Sequence, residues 1–146
     1  MPAISEYMTV QPWTISRHAT LTEGHRLMRE HGIRHLPVVD NGELVGILSM
    51  GDLHLLETFA DLDPDEAEVD DAMIPNPFYV TRDAPVDEVA ETMAENKYSS
   101  AIVMEKGGVA GIFTYVDACR ALAQLVRRYT AMDLPAPDLR HTGYSR

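Results

Sequence analysis

Two short runs of the sequence place a hydroxyl and a carboxylate three residues apart, Ser49-x-x-Asp52 and Thr114-x-x-Asp117. Their simplest interpretation is a capping box, in which both side chains satisfy backbone N–H groups at the start of a helix. The same helix start can attract a phosphate through its free N–H groups and its dipole. A nearby carboxylate can accept both hydroxyls of a ribose. The bare pattern favours the cap, but both roles are compatible because a carboxylate has two oxygens.

Other chemical patterns are absent from the sequence. His31 and His35 are four residues apart, but Gly32 is expected to end a helix between them, and the other four histidines lack ligand spacing. We therefore predict no metal site. No Ser-His-Asp triad, paired-carboxylate hydrolase pattern or Walker loop occurs, and Gly107-Gly108 is typical of a hairpin turn. These observations predict a binding protein and not an enzyme.

The composition is that of a globular, acidic protein. The 146 residues are 45% hydrophobic and carry a formal net charge of −11, which disfavours a nucleic-acid partner. No apolar run approaches the roughly 20 residues of a membrane span, so we expect no membrane partner. The N-terminal residues are neither basic nor strongly apolar, and the single cysteine, Cys119, agrees with a reducing compartment. A cytoplasmic location is the resulting expectation.

The sequence is an internal duplication. Shifted by 65 residues against itself, it stays in register without a gap from 4/69 to 52/117. Identical pairs include Met8/Met73, Pro12/Pro77, Gly46/Gly111, Ile47/Ile112 and Asp52/Asp117. Two copies of one structural unit are therefore predicted.

Each copy has the pattern strand, helix, strand, strand, helix. The first strands are expected at 13–16 and 78–81, with hairpin turns at 40–43 and 106–108 and closing helices at 50–57 and 115–128. Thr20 and Gly32 are expected to bound the first helix. One copy is too small to bury an adequate core. We thus predict an α+β fold in which the two units pack sheet to sheet.

At this point the sequence resembles a known family, the CBS motif named from cystathionine β-synthase. The resemblance lies in the opening run Val69-x-Asp71-x-Met73-x-x-x-Pro77-x-x-Val80, in 34–40 (RHLPVVD), and in 46–52 (GILSMGD) with its copy 111–117 (GIFTYVD). It implies a tandem pair with a pseudo-twofold axis, two clefts and a homodimer. We assign CBS motif 1 to 4–57, a solvated acidic linker to 58–68, CBS motif 2 to 69–128 and a C-terminal tail to 129–146.

The resemblance also implies residue roles. Ribose recognition falls on Asp52 and Asp117, hydroxyl or phosphate contacts fall on Ser49 and Thr114, and Gly51 and Val116 take a lining position. The adenine slot comprises Trp13, Thr14, Ile33 and Leu36 in one repeat and Phe78, Tyr79, Tyr98 and Ala101 in the other, although plain core is expected of the aliphatic members.

A basic pair distinguishes the two copies. Arg34 and His35 stand where the family often has basic residues, whereas their counterparts Ser99 and Ser100 are uncharged hydroxyl donors. The two clefts are therefore expected to differ in affinity or in the number of phosphates bound. Arg17 and Arg82 also match each other, and they either assist or are simply solvated.

The function implied is a regulatory, ligand-sensing module. It would bind AMP, ADP, ATP or an S-adenosyl compound in the clefts between the motifs, use no cofactor, and modulate an unidentified effector on a separate chain. The alternative is a constitutive dimeric scaffold whose clefts are empty or degenerate.

Overall fold

Two four-stranded sheets form the framework of the computed structural model, which describes residues 2–59 and 61–131. The strands are β1 (Thr9–Val10), β2 (Ile15–Ser16), β3 (His35–Asp40), β4 (Glu43–Ser49), β5 (Ile74–Pro75), β6 (Tyr79–Thr81), β7 (Ser100–Glu105) and β8 (Gly108–Thr114). The sheet orders are β2-β3-β4-β5 and β1-β8-β7-β6.

Five α-helices accompany the sheets in the described part of the chain. They are α1 (Leu21–His31), α2 (Met50–Glu57), α3 (Val69–Ala72), α4 (Val86–Asn96) and α5 (Tyr115–Thr130), and a 3-10 turn spans Ile4–Glu6. Over the described ranges, no helix has both the length and the apolar character needed to cross a bilayer. All but the first three residues of the predicted tail lie outside the described part of the chain, and those three end α5.

The predicted order of elements in each repeat is confirmed, and so are the local signals that set it. The Thr20 hydroxyl accepts the N–H of Glu23 at the start of α1, and Gly32 ends the helix at φ 61°. Asn41 and Gly42 take φ values of 49° and 82° between β3 and β4, as a type I′ hairpin turn requires.

The segment that opens each repeat lies on the other repeat's sheet, which the repeat pattern does not reveal. β1 pairs antiparallel with β8, with Thr9 opposite Ile112, and β5 pairs with β4, with Ile74 opposite Ile47. One core residue from each opening segment is exchanged in the same way. Ile4 is buried in the core of the second repeat, whereas Val69 is buried in the core of the first. The packing units thus differ from the sequence repeats, and neither repeat is complete alone.

Two glycines allow this exchange. A Cβ on Gly46 would lie 2.5 Å from Sδ of Met73 and 2.9 Å from the carbonyl oxygen of Ile74. A Cβ on Gly111 would meet Met8 in the same way and lie 3.0 Å from the carbonyl oxygen of Thr9. Both positions are therefore limited to glycine by the close approach of the crossing strand. This explains why the Met and Gly positions match in both copies.

The acidic linker is more than the solvated connection that its composition indicates. Its carboxylates at 61, 63, 65 and 66 are exposed, but its backbone packs on α1. The N–H groups of Leu21 and Thr22 donate to the carbonyl oxygens of Ala67 and Pro64. The linker thereby satisfies donors that the start of α1 leaves free. That helix start is consequently not available to an anion.

We expect Gly46→Ala and Gly111→Ala each to lower the free energy of unfolding by about 1–3 kcal/mol, since the added methyl group overpacks the strand crossing. Urea unfolding followed by circular dichroism measures this. Gly108→Ala in β8 is the matched control, because its Cβ meets nothing nearer than 3.8 Å. Equal losses in all three variants would contradict the steric explanation.

Candidate ligand-binding cleft

A cleft of about 770 Å³ opens at the start of α2. Its walls come from α1, from the residues that lead into β3, from α2 and from one residue of the second repeat. The lining residues are His25, Arg29, Arg34, His35, Ser49, Met50, Gly51, His54 and Ser99. The structure therefore brings the predicted residues Arg34, His35, Ser49, Gly51 and Ser99 together.

The electrostatics of the cleft oppose those of the whole protein. The chain carries a net charge of −11, yet two arginines and three histidines line the cleft, and none of the described lining residues is a carboxylate. The permanent charges of Arg29 and Arg34 in this cleft attract a small anion. Sequence analysis missed His25, Arg29 and His54, because only the packing of α1 against α2 brings them to this site.

Ser49 forms the predicted N-cap of α2, but Asp52 does not complete the predicted capping box, because among the described residues its carboxylate accepts only the Ser49 hydroxyl. The Ser49 hydroxyl accepts the backbone N–H of Asp52 at 3.1 Å and donates to Oδ2 of the same residue at 2.7 Å. Among the described residues none donates a hydrogen bond to Oδ1 of Asp52, and the side chain is half-buried. One carboxylate oxygen thus remains able to accept hydrogen bonds from a ligand.

Asp117, the copy of Asp52, is more fully engaged. It is only 5% exposed. Its Oδ2 accepts the backbone N–H of Thr114 at 2.9 Å and the Thr114 hydroxyl at 3.1 Å, which completes the predicted capping box. Its Oδ1 accepts the hydroxyl of Thr9, on the crossing strand β1, at 3.0 Å. Both oxygens therefore have protein donors.

His35 lies between the two helix starts. Nε2 of His35 is 2.9 Å from the hydroxyl oxygen of Ser99, which joins the two repeats inside the cleft. Burial lowers the pKa of His35 below its ordinary value, Arg34 lowers it further, and Asp52 and Asp117 act in the opposite direction. Ser100, the copy of His35, is buried, with 8% of its surface exposed.

The residues predicted to hold adenine separate into two groups. Leu36 and Ala101 are fully buried in the two cores, as expected for aliphatic members, and Ile33 packs against the first core. The others, apart from Phe78, which is half-buried, are exposed: Trp13, Thr14, Tyr79 and Tyr98. None of the eight is among the cleft-lining residues.

The aromatic members of this set have partners within the protein. Trp13 stacks on the ring of His31 with centroids 3.9 Å apart, and Phe78 stacks on Tyr98 with centroids 5.3 Å apart. Repeat-equivalent aromatic residues therefore use different partners. Val116, the copy of Gly51, is exposed at the start of α5.

The remaining candidates lie elsewhere. Arg17 binds Asp70 at 2.8 Å and Asp40 at 3.4 Å, and Arg82 binds Glu105 at 2.9 Å, so both arginines are in ion pairs outside the cleft. His25 contacts Glu57, and its ring centroid is 5.9 Å from that of His54. In the described part of the chain, no three or more His, Cys, Asp or Glu side chains are arranged to hold a metal ion.

Comparison with known proteins agrees with the duplication. Residues 4–55 and 69–124 each match the profile of the CBS domain. Hypoxic response protein 1 of Mycobacterium tuberculosis is 29% identical over 125 residues, which is 85% of this chain and 87% of that protein. A crystal structure of Hypoxic Response Protein I contains two coordinated zinc ions; it is 29% identical, with a TM-score of 0.72 over 82% of this chain and 98% of that one.

Two further crystal structures are similar. One is a Vibrio cholerae protein, AcuB, for which a role in acetoin utilization has been suggested; it is 30% identical, with a TM-score of 0.79 over 90% of this chain and 97% of that one. The other is the CBS domain pair of protein MJ0100 in complex with 5′-methylthioadenosine and S-adenosyl-L-methionine. It is 25% identical, with a TM-score of 0.74 over 86% and 98% of the two chains.

We expect His35 to make the free energy of unfolding depend on pH. Folding lowers the pKa of His35 below its ordinary value near 6.5. At a pH below 6.5, the unfolded chain therefore binds a proton on this histidine more readily than the folded chain does. The free energy of unfolding therefore falls as the pH decreases from 7 to 5, by at most about 1.4 kcal/mol per pH unit for one proton. Urea unfolding at several pH values should show a shallower slope for His35→Gln.

The exposed His18 provides the control, since His18→Gln also removes one histidine. If His35→Gln and His18→Gln had the same pH slope as the unsubstituted chain, burial of His35 would not contribute to the pH dependence.

Proposed function

Because this chain belongs to the CBS domain family, with one motif in each repeat, we propose that it is a regulatory module that binds an adenine nucleotide and catalyses no reaction. The observation that carries the proposal is the cleft at the start of α2, which is lined by two arginines and three histidines. The carboxylate of Asp52 acts on the cleft residue His35, and its Oδ1 accepts no hydrogen bond from the described residues. The similar CBS domain pair of MJ0100 holds two ligands that both contain adenosine. A ribose carrying two adjacent hydroxyls is common to those ligands and to AMP, ADP and ATP.

In this proposal Asp52 binds the ribose. Its Oδ1 accepts the ribose hydroxyls, while Oδ2 keeps its bond to Ser49 and holds the carboxylate in place. Because the carboxylate is already oriented and half-buried, little side-chain entropy is lost on binding. A hydrogen bond to a charged acceptor is typically worth about 1.5–3 kcal/mol.

The phosphates lie between the start of α2 and the basic side chains. The N–H groups of Met50 and Asp52 at the start of α2 already donate to the carbonyl oxygen of Arg34 and to the hydroxyl of Ser49, so this helix start contributes mainly the positive end of its dipole. Arg34 supplies a permanent charge. Arg29, His25 and His54 extend the basic surface along the cleft. This arrangement favours phosphorylated ligands over S-adenosylmethionine, whose sulfonium carries a positive charge.

Regulation follows from the position of the cleft between the repeats. Ser99 belongs to the second repeat, but it lines the cleft and is joined to His35 of the first. A ligand there contacts both repeats and stabilises one relative arrangement of them, provided that it binds that arrangement better than others. An effector protein on a separate chain would respond to that arrangement.

We also propose that the module is a homodimer that associates through its closing helices. Large apolar side chains are exposed on α5 at seven-residue and three- to four-residue spacings, which is the pattern of helix–helix contact. They are Tyr115, Leu122, Leu125, Val126 and Tyr129, and Leu55 and Phe59 are exposed at and beyond the end of α2. An apolar stripe of this kind on a soluble domain favours burial against a partner.

Isothermal titration with AMP, ADP, ATP and S-adenosylmethionine tests the nucleotide proposal. We expect saturable binding of an adenylate that Asp52→Asn weakens at least roughly tenfold, through loss of charged hydrogen bonds. Arg34→Ala should lower the affinity for the phosphorylated ligands and leave the affinity for adenosine almost unchanged. Asp87→Asn, in the exposed first turn of α4, is the matched control.

A folded protein that takes up none of these ligands would refute the nucleotide proposal and favour the scaffold with empty clefts. Tight binding that is insensitive to both Asp52→Asn and Arg34→Ala would instead place the ligand at another site.

Sedimentation velocity tests the dimer. We expect Leu122→Glu to convert the dimer into monomers, because it places a charge in the apolar stripe of α5, 63% exposed in the single chain. Glu95→Lys, at an exposed polar position on α4, should leave the dimer intact. A monomeric unsubstituted protein at micromolar concentration would refute this interface.

A further inference from the structure

Thr9 and Ile74 occupy the same position in the two repeats. Thr9 pairs with Ile112 on β8, and Ile74 pairs with Ile47 on β4, so the register at the two sheet edges is identical. Each residue lies on a crossing strand beside the strand whose end leads into a closing helix, α5 or α2. The two positions therefore stand in the same relation to Asp117 and Asp52.

Their chemistry differs at this shared position. The Thr9 hydroxyl donates to Oδ1 of Asp117 at 3.0 Å. Ile74 has no donor, its side chain is 52% exposed, and among the described residues no other group takes its place at Asp52. The crossing strand thus supplies a side-chain hydrogen-bond donor to Asp117 and supplies none to Asp52.

We infer that Thr9 determines how many nucleotides the chain binds, by closing the second cleft to ribose. This inference rests on the proposed function. A ribose approaching Asp117 must displace an internal hydrogen bond to a carboxylate that is 5% exposed and already holds Thr114. At Asp52 the ribose gains its bonds without displacing a protein donor.

The hydroxyl of Thr9 acts in addition to the charge difference between the clefts. At the repeat position of Arg34 the second repeat has the uncharged Ser99, and Arg120, whose counterpart in the first repeat is Leu55, lies 3.7 Å from Oδ1 of Asp117. Adenosine, which carries no phosphate, separates the two effects, because its binding depends on the ribose and base alone. Adenosine is therefore the probe for Thr9, with AMP as the reference ligand for the first cleft.

Isothermal titration counts the sites. We expect one equivalent of adenosine per chain in the unsubstituted protein and two in Thr9→Val, which removes the donor and nearly conserves shape. Thr9→Ser keeps the hydroxyl, so this variant should still bind one equivalent of adenosine. The second equivalent bound by Thr9→Val should disappear in the double variant Thr9→Val/Asp117→Asn. Conversely, Ile74→Thr should lower the affinity of the first cleft for adenosine roughly tenfold or more, whereas Ile74→Val should not.

Thermal unfolding confirms that each variant is folded before its sites are counted. Two equivalents in the unsubstituted protein, or one in a folded Thr9→Val, would overturn the role of Thr9 and leave the proposed function intact. Absence of any adenine-nucleotide binding in the unsubstituted protein would refute the proposed function itself.

Discussion

The close contact between Met73 and Gly46, and its copy between Met8 and Gly111, joins the two repeats. A strand can cross the edge of the neighbouring sheet only where no Cβ stands in its way, and each sheet provides one such position. The crossing carries Ile4 and Val69 into the opposite cores, where both are fully buried. The same crossing brings Thr9 to Asp117 at the start of α5. The exchange of core residues and the bond from Thr9 to Asp117 therefore depend on one feature.

Duplication has preserved the backbone of the two clefts while their side chains have diverged. Both helix starts keep a hydroxyl at the N-cap and an aspartate three residues later. In the first repeat, Oδ1 of Asp52 accepts no hydrogen bond from the described residues, whereas in the second repeat both carboxylate oxygens of Asp117 have protein donors. A carboxylate gains most from a ligand when its own protein leaves it partly unsatisfied. The pseudo-twofold fold thus places the two equivalent carboxylates in unequal surroundings.

His35 connects these sites. It is within hydrogen-bonding distance of Ser99, and the charges of Asp52 and Asp117 both act on it. A buried imidazole with a lowered pKa is neutral at physiological pH, and a bound phosphate would favour its protonated form. The residue is consequently placed to respond to the charge of a ligand in the first cleft and to the contact between the repeats.

The sequence by itself determined the repeat, the order of elements and the caps, because these depend on local patterns: Asn41-Gly42 at the hairpin, Gly32 after α1, and Ser49-x-x-Asp52 at α2. The difference in affinity or phosphate number that Arg34 and His35 indicate for the two clefts stays a prediction. The proximity of His25, Arg29 and His54 in the cleft was decided only by the tertiary structure, since it arises from the packing of α1 on α2. The bond from Thr9 to Asp117 likewise joins residues 108 positions apart, through a strand crossing that no local pattern encodes. Local propensity fixes where helices and strands begin and end, but which side chains meet depends on the global packing of both repeats.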